Sequence, residues 1–322
     1  MAKKIGVIID FLTDEYARKI DRAAAANGYE TVYFDSSRAA IGNVDECEII
    51  YGHPSQKVIA SAKNLKWFAC CWAGVDRFCR DGLFCNEDCI LTNASGAYGT
   101  TIAEHITMVA LMLLRRQPEY TEIIREGGWR VLDGGIRSLH GARIMMLGAG
   151  DIGTEFARRA RAFHPKTLLG VSRSGRPNPD FDAVYPIAEL DRLLPETDLL
   201  VMALPSTPDT VNILDARRMA LLPEGAYVIN VGRGTAVDQD ALIDALDSGH
   251  LAGASLDVVV PEPLPAEHPL RGAKNLLLTP HVAGNMTLGY TCELNVKMFC
   301  DNLARYANGE PLRHVVDKKK GY

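Results

Sequence analysis

The chain has 322 residues, of which 47% are hydrophobic and 23% charged, and a formal net charge of −5 at pH 7. Those proportions are ordinary for a globular protein, and the mild acidity opposes a nucleic-acid or membrane-surface partner, which would call for a basic excess. The length suffices for two cores of about 150 residues each, and no apolar run approaches the roughly 20 residues of a membrane span.

At the N-terminus, Lys3-Lys4 followed by Ile5–Phe11 superficially suggests a signal peptide. The apolar stretch is short, contains Asp10 and leads into Asp14-Glu15 with no small-residue cleavage site, so a first β-strand is expected instead. From there, short apolar runs alternate with helical patterns, the signature of an α/β protein with parallel sheets. In the first hundred residues strands are expected over Lys4–Ile9, Glu30–Phe34, Cys47–Tyr51 and Leu65–Cys71, and helices over Asp14–Asn27 and Ser55–Asn64. The eight cysteines give no metal or disulfide signature: Cys70-Cys71 are adjacent, and Cys79, Cys85 and Cys89 lack Cys-x-x-Cys spacing. No metal is expected, and reduced thiols in a cytoplasmic protein are the preferred reading.

Thr100–Arg116 is apolar on nearly every face, as a buried helix is. Thr101-Ile-Ala-Glu104 has the form of a capping box at its start. It reads as a connector packed between two domains. A second α/β unit follows, with strands expected over Arg143–Leu147, Leu168–Ser172, Leu199–Ala203, Tyr227–Val231, Gly253–Val258 and Leu276–Thr279, separated by helices such as Ile152–Phe163 and Gln239–Ser248. A last helix over Thr287–Asn308 would return the chain to the first domain, and Lys318-Lys319-Lys320 reads as a solvated tail.

The first strand of the second unit ends in Gly148-Ala-Gly150-Asp151-Ile152-Gly153, directly before a helix. Glycines there allow a tight turn, close approach of a pyrophosphate and tight packing of helix on strand, while the helix N-terminus offers N–H groups and a positive dipole end. G-x-G-x-x-G alone is weak; between a strand and a helix it indicates dinucleotide binding. The carboxyl ends of later strands, where an open α/β sheet binds its ligand, carry Asn230-Val-Gly-Arg233, then Asp257 leading to Glu262, then Thr279-Pro-His281. Each taken singly could be structural, a turn or a helix cap. Together they deliver arginine, acid and histidine to one edge.

These stretches resemble the D-isomer-specific 2-hydroxyacid dehydrogenase family over essentially the entire chain. The resemblance rests on Ala73-Gly-Val-Asp76, Thr92-Asn-Ala-Ser-Gly96, Ala103-Glu-His105, the glycine loop, Val231-Gly-Arg-Gly234, Asp257 through Pro263, Thr279-Pro-His-Val-Ala-Gly284 and the ending Val316-Asp…Gly321-Tyr322. It implies two Rossmann-like domains: a flavodoxin-like substrate domain over 1–98 and 286–322, and a doubly wound, parallel-sheet dinucleotide-binding domain over 99–285. The active site would lie in the cleft between them, and the chain would form a homodimer. It further implies that Arg233 grips the substrate's carboxylate and carbonyl, that His281 is the acid/base and that Glu262 pairs with it. Backbone N–H groups of Ala73, Gly74 and Val75 would bind the substrate carboxylate, with Tyr98 also lining the site. Asp257 would contact the nicotinamide end of the coenzyme, and Val231, Gly232 and Gly284 would also bind the coenzyme.

Elementary chemistry agrees with that assignment. Reduction of a 2-oxo acid delivers hydride to carbon while the carbonyl oxygen gains a proton. A histidine can supply that proton near neutral pH, and a paired carboxylate raises its pKa and fixes its tautomer. A guanidinium fork matches a planar carboxylate. His268 and His105 rank lower, as a loop residue and a connector-helix residue.

Two departures from the family pattern matter. The acid expected at the end of the second Rossmann strand, which would bind the ribose hydroxyls of NAD, is replaced by Ser172-Arg173-Ser174-Gly-Arg176 after what looks like an insertion at His164-Pro165. Two hydroxyls and two guanidinium groups suit a 2′-phosphate, so NADP(H) is favoured, with NAD(H) possible if the arginines are merely solvated. The small residue usual before Ala-Gly-Val-Asp is Trp72, which either narrows the substrate site or belongs to the first domain's core. The favoured activity is NADPH-dependent reduction of glyoxylate, hydroxypyruvate or a similar 2-oxo acid. Formate oxidation is disfavoured by Glu262, and phosphoglycerate oxidation by the want of a further domain after Tyr322. A dinucleotide-sensing corepressor is the alternative of a different class, disfavoured by the mild acidity and the lack of long tails.

Overall fold

The computed structural model describes residues 3–321; the outermost ends of the expected substrate domain, Tyr322 of the terminal match included, lie outside them. Contacts divide the chain into two compact units, one reaching to Tyr98 and resuming at Met286, the other Gly99–Asn285.

In the first unit β1 (Lys3–Ile8), α1 (Asp14–Ala26), β2 (Tyr29–Tyr33), α2 (Ser37–Ala40), β3 (Cys47–Gly52), α3 (Gln56–Ser61), β4 (Trp67–Cys70) and β5 (Ile90–Thr92) build a parallel sheet of order β2-β1-β3-β4-β5. That is the flavodoxin-like order. The period-2 alternation of a strand decides which residues enter which core. Ile49, Tyr51, Trp67 and Ala69 face one layer with Ile20 and Ala24 of α1, whereas Ile50, Phe68 and Cys70 face the other with Val58 and Ile59 of α3. β5 escaped the sequence reading because Ile90–Thr92 is three residues long and gives no alternation to read.

The second unit contains α4 (Gly99–Leu114), α5 (Gln117–Arg125), β6 (Arg143–Leu147), α6 (Asp151–Arg161), β7 (Thr167–Ser172), β8 (Ala183–Pro186), α7 (Leu190–Leu193), β9 (Leu199–Met202), α8 (Ala216–Met219), β10 (Ala226–Asn230), α9 (Gln239–Asp247), β11 (Leu251–Leu256) and β12 (Leu276–Leu278). Its parallel sheet runs β12-β11-β10-β9-β6-β7-β8. Counted from β6 this is the doubly wound dinucleotide-binding order with one strand added, and the order reverses between β6 and β9. Six strands were expected; β8 is the addition, a partly exposed edge strand that lacks the apolar run of its neighbours.

α4 begins at Gly99, so Thr101 lies inside its first turn and the expected capping box does not form. Ile102, Ala103, Ile106, Val109, Ala110 and Leu113 are buried, and α4 packs on α6 within this unit. Met108 is nevertheless 48% exposed, so the helix is not buried all round.

α10 (Gly289–Ala307) belongs to the first unit and packs on α1. Its Phe299 ring stacks on Tyr51 at 4.0 Å, and Lys19 of α1 reaches Glu293 at 2.7 Å. Among the described residues no helix is long and apolar enough to cross a membrane, and no group of three metal-binding side chains forms. All eight cysteines are unpaired thiols.

Candidate active site

The glycine loop leaves β6 at Leu147 and enters α6, whose N-cap is Gly150 and whose first residues are Asp151, Ile152 and Gly153. A Cβ at Gly153 would collide with the Gly148 carbonyl oxygen and press on Met146, so only glycine lets α6 lie this close to the strand. At Gly150 a Cβ would meet nothing, which leaves open space against the helix N-terminus. This is a cradle that fits a pyrophosphate. Ser172 ends β7, and its Oγ accepts from Gly175 N at 3.1 Å, closing a turn that leaves Arg173, Ser174 and Arg176 exposed.

At the end of β10, the fully buried Asn230 shapes the next turn: its Oδ1 accepts from Gly232 N at 3.0 Å and its Nδ2 donates to Arg233 O at 2.8 Å. Val231 and Gly232 are therefore buried backbone, and Arg233 emerges partly exposed with Nη1 on the Gly232 carbonyl at 2.8 Å.

His281 has φ +55°, a left-handed conformation uncommon outside glycine. Asp257 explains how it is held. Its backbone carbonyl accepts from His281 N at 2.8 Å, one carboxylate oxygen accepts from Thr279 Oγ1 at 2.6 Å and Val282 N at 2.9 Å, and the other accepts from Ala283 N at 3.0 Å. Asp257 is only 3% exposed. The carboxylate expected to contact the nicotinamide end of the coenzyme is thus engaged by the histidine's own loop. Gly284, the next residue, is partly exposed.

Glu262 Oε2 lies 2.8 Å from His281 Nδ1, and its Oε1 accepts from Val259 N at 3.0 Å. Both side chains are about two-fifths exposed, 42% for His281 and 37% for Glu262, so the pair is open to a ligand. His268 instead caps a short 3-10 turn by accepting from Leu270 N, and burial pushes the His105 imidazole below its ordinary pKa against the opposing effect of Asp257.

In the first unit Ala73, Gly74 and Val75 follow β4, their loop fixed by Asn93 Nδ2 donating to Ala73 O at 2.9 Å and Ala94 N donating to Trp72 O at 3.1 Å. Among the described residues nothing accepts from the N–H groups of these three residues. Three adjacent unmatched donors suit an anion. Tyr98, expected to line the site, is 3% exposed, and its hydroxyl donates to Cys71 O at 2.7 Å. Trp72 is partly buried and packs on both cores, with its ring 4.7 Å from His53 and 6.4 Å from Tyr98.

His53, at the end of β3, was not singled out from sequence; a histidine after an apolar strand gives no signal until the neighbouring strand is known. Asp257's hold on residues 279–283 was equally hidden, although its position at a strand end was visible.

The model of the D-isomer specific 2-hydroxyacid dehydrogenase NAD-binding domain matches residues 107–283. The chain is 33% identical to glyoxylate/hydroxypyruvate reductase B of Pectobacterium carotovorum over 83% of each protein. A family protein from Aeromonas salmonicida superposes with a TM-score of 0.87 at 32% identity, covering 99% of this chain and all of that one. The NADPH-dependent glyoxylate/hydroxypyruvate reductase of Sinorhizobium meliloti, solved with NADP and sulfate, superposes at 0.83 with 29% identity, covering 99% of this chain and all of that one.

Proposed function

The chain belongs to the D-isomer-specific 2-hydroxyacid dehydrogenase family, and from that premise we propose that it reduces a small 2-oxo acid to the (D)-2-hydroxy acid, with NADPH as the favoured donor. Glyoxylate and hydroxypyruvate are the favoured substrates. The observation that carries this reading is the His281 Nδ1 to Glu262 Oε2 contact at 2.8 Å on an exposed edge of a dinucleotide-type sheet.

A bound reduced nicotinamide dinucleotide supplies hydride to the carbonyl carbon. Gly148, Gly150, Asp151, Ile152 and Gly153 would hold its pyrophosphate, Ser172, Arg173 and Ser174 its 2′-phosphate, and Val231, Gly232 and Gly284 the nicotinamide side. In its imidazolium form His281 carries a proton on each nitrogen: the Glu262 carboxylate accepts from Nδ1–H, and Nε2–H gives its proton to the carbonyl oxygen, leaving the neutral Nδ1–H tautomer. Arg233 pairs with the substrate's carboxylate and polarises its carbonyl. The N–H groups of Ala73, Gly74 and Val75 take the carboxylate, with Trp72 limiting the room beside it.

The test is a panel of 2-oxo acids incubated with NADPH and analysed for product chirality. Turnover of glyoxylate, whose product glycolate is achiral, together with the D-hydroxy acid from hydroxypyruvate supports the reading. An L product, or no turnover with any member of the panel, refutes it.

A further inference from the structure

We propose that Gln239 is a positioning residue for the proton-transfer pair, its carboxamide gripping Val260 and thereby keeping Glu262 on His281. The proposal rests on the assignment of Glu262 and His281 made above.

Residues 257–268, which carry Glu262, contain neither helix nor strand. A segment of that kind places a carboxylate well only if it is tied at several points. Upstream of Glu262, Gln239 Oε1 accepts from Val260 N at 2.8 Å and Gln239 Nε2 donates to Val260 O at 2.6 Å. One planar amide thus satisfies both backbone groups of one residue. Downstream, Arg271 donates from Nε to Pro265 O and from Nη2 to Leu264 O, each at 2.8 Å. Glu262 lies between these anchors, with one oxygen on Val259 N and the other on the histidine.

Gln239 comes from a firm base. It opens α9, whose N-cap Asp238 accepts from Ala241 N at 3.1 Å, and Leu242 and Leu246 bury the helix in the core. The loop it holds also meets the arginine turn, since a Cβ at Gly234 would collide with the backbone of Val259. Arg233 and Glu262 therefore share one scaffold. A carboxamide offers a donor and an acceptor side by side on one planar group, as the two backbone groups of Val260 require. A glutamate would set a carboxylate against the Val260 carbonyl, and a methionine would fill the volume with no polar atom to offer.

The test is a double-mutant cycle with NADPH and the most active 2-oxo acid of the panel, together with amide exchange on the protein without coenzyme. Gln239→Met should lower kcat about tenfold, as small misplacements of catalytic groups do, without weakening NADPH binding. In a Glu262→Gln background the same substitution should cost less than about twofold, because its route of action is already gone. Exchange at the Val259 amide, which bonds Glu262, should accelerate in Gln239→Met. Equal losses in both backgrounds, or wild-type kcat in Gln239→Met, overturns the proposal while leaving the catalytic pair intact. Wild-type turnover in Glu262→Gln overturns the pair itself, and the positioning role with it. Gln239→Glu, which keeps the acceptor and loses the donor, reads the same way if the methionine variant does not fold.

Discussion

Burial and the nearby Arg77 guanidinium hold the His53 imidazole down at about 4, against an ordinary value of 6.5. The ring lies against Trp72 and edge-on to Phe78, where a charge would be poorly solvated. Its folded pKa is depressed, so the unfolded chain binds this proton first as the pH falls. The stability it allows is complete above pH 6.5 and drains away between 6.5 and about 4. His105, also lowered by burial, adds to the same acid-side slope. His53→Gln should therefore melt with a visibly smaller drop between pH 7 and pH 5 than the wild type. Parallel melting curves for the two proteins would show that His53 is not held neutral by the fold. Asp257, through its carboxylate on Val282 N and Ala283 N, orients His281 without enclosing it.

At the scale of elements, the proposed preference for NADPH rests on the β7 end. A carboxylate there would face the 2′-phosphate, and two unit charges at about 4 Å interact by roughly 4 kcal/mol at an effective dielectric near 20. The Ser172–Arg176 turn offers hydroxyls and guanidinium groups instead, exposed and so open to screening. NADPH should be preferred over NADH at least about tenfold in kcat/KM, the preference should shrink at high salt, and Ser172→Asp with Arg173→Ala should invert it. An equal or better rate of the wild type with NADH would contradict this. The elements most readable in the sequence are those with local rules, such as the glycine loop before α6 and the long apolar strands. β5 and β8 carry too few residues to show a period, and the helix boundary at Gly99 depends on packing against α6 rather than on the Thr101 motif. The acid, arginine and histidine of the site were visible as residue types at strand ends. What was not visible is what holds them: Asp257 on residues 279–283 and Gln239 on Val260 link positions distant in the chain, and Asn230 grips the nearby Arg233 turn through a side-chain geometry that residue types alone do not show.

For the whole molecule, we propose a homodimer. After α5 the chain exposes Trp129 at 92%, Val131 at 84% and Ile136 at 50%, and Ile124 of α5 adds 54%. Large apolar side chains grouped in this way favour an interface between copies. Sedimentation should give twice the chain mass, and Trp129→Glu with Val131→Lys should give a single chain mass; a monomeric wild type would refute the assignment. The account as a whole turns on His281 as the proton donor to a 2-oxo acid, and the most direct test compares His281→Ala with the wild type in two measurements on one preparation. NADPH titration should give matching dissociation constants for the two proteins, while turnover of the best 2-oxo acid should fall by at least about a hundredfold, the range of a lost general acid. Undiminished turnover in His281→Ala, with the coenzyme still bound, would contradict it.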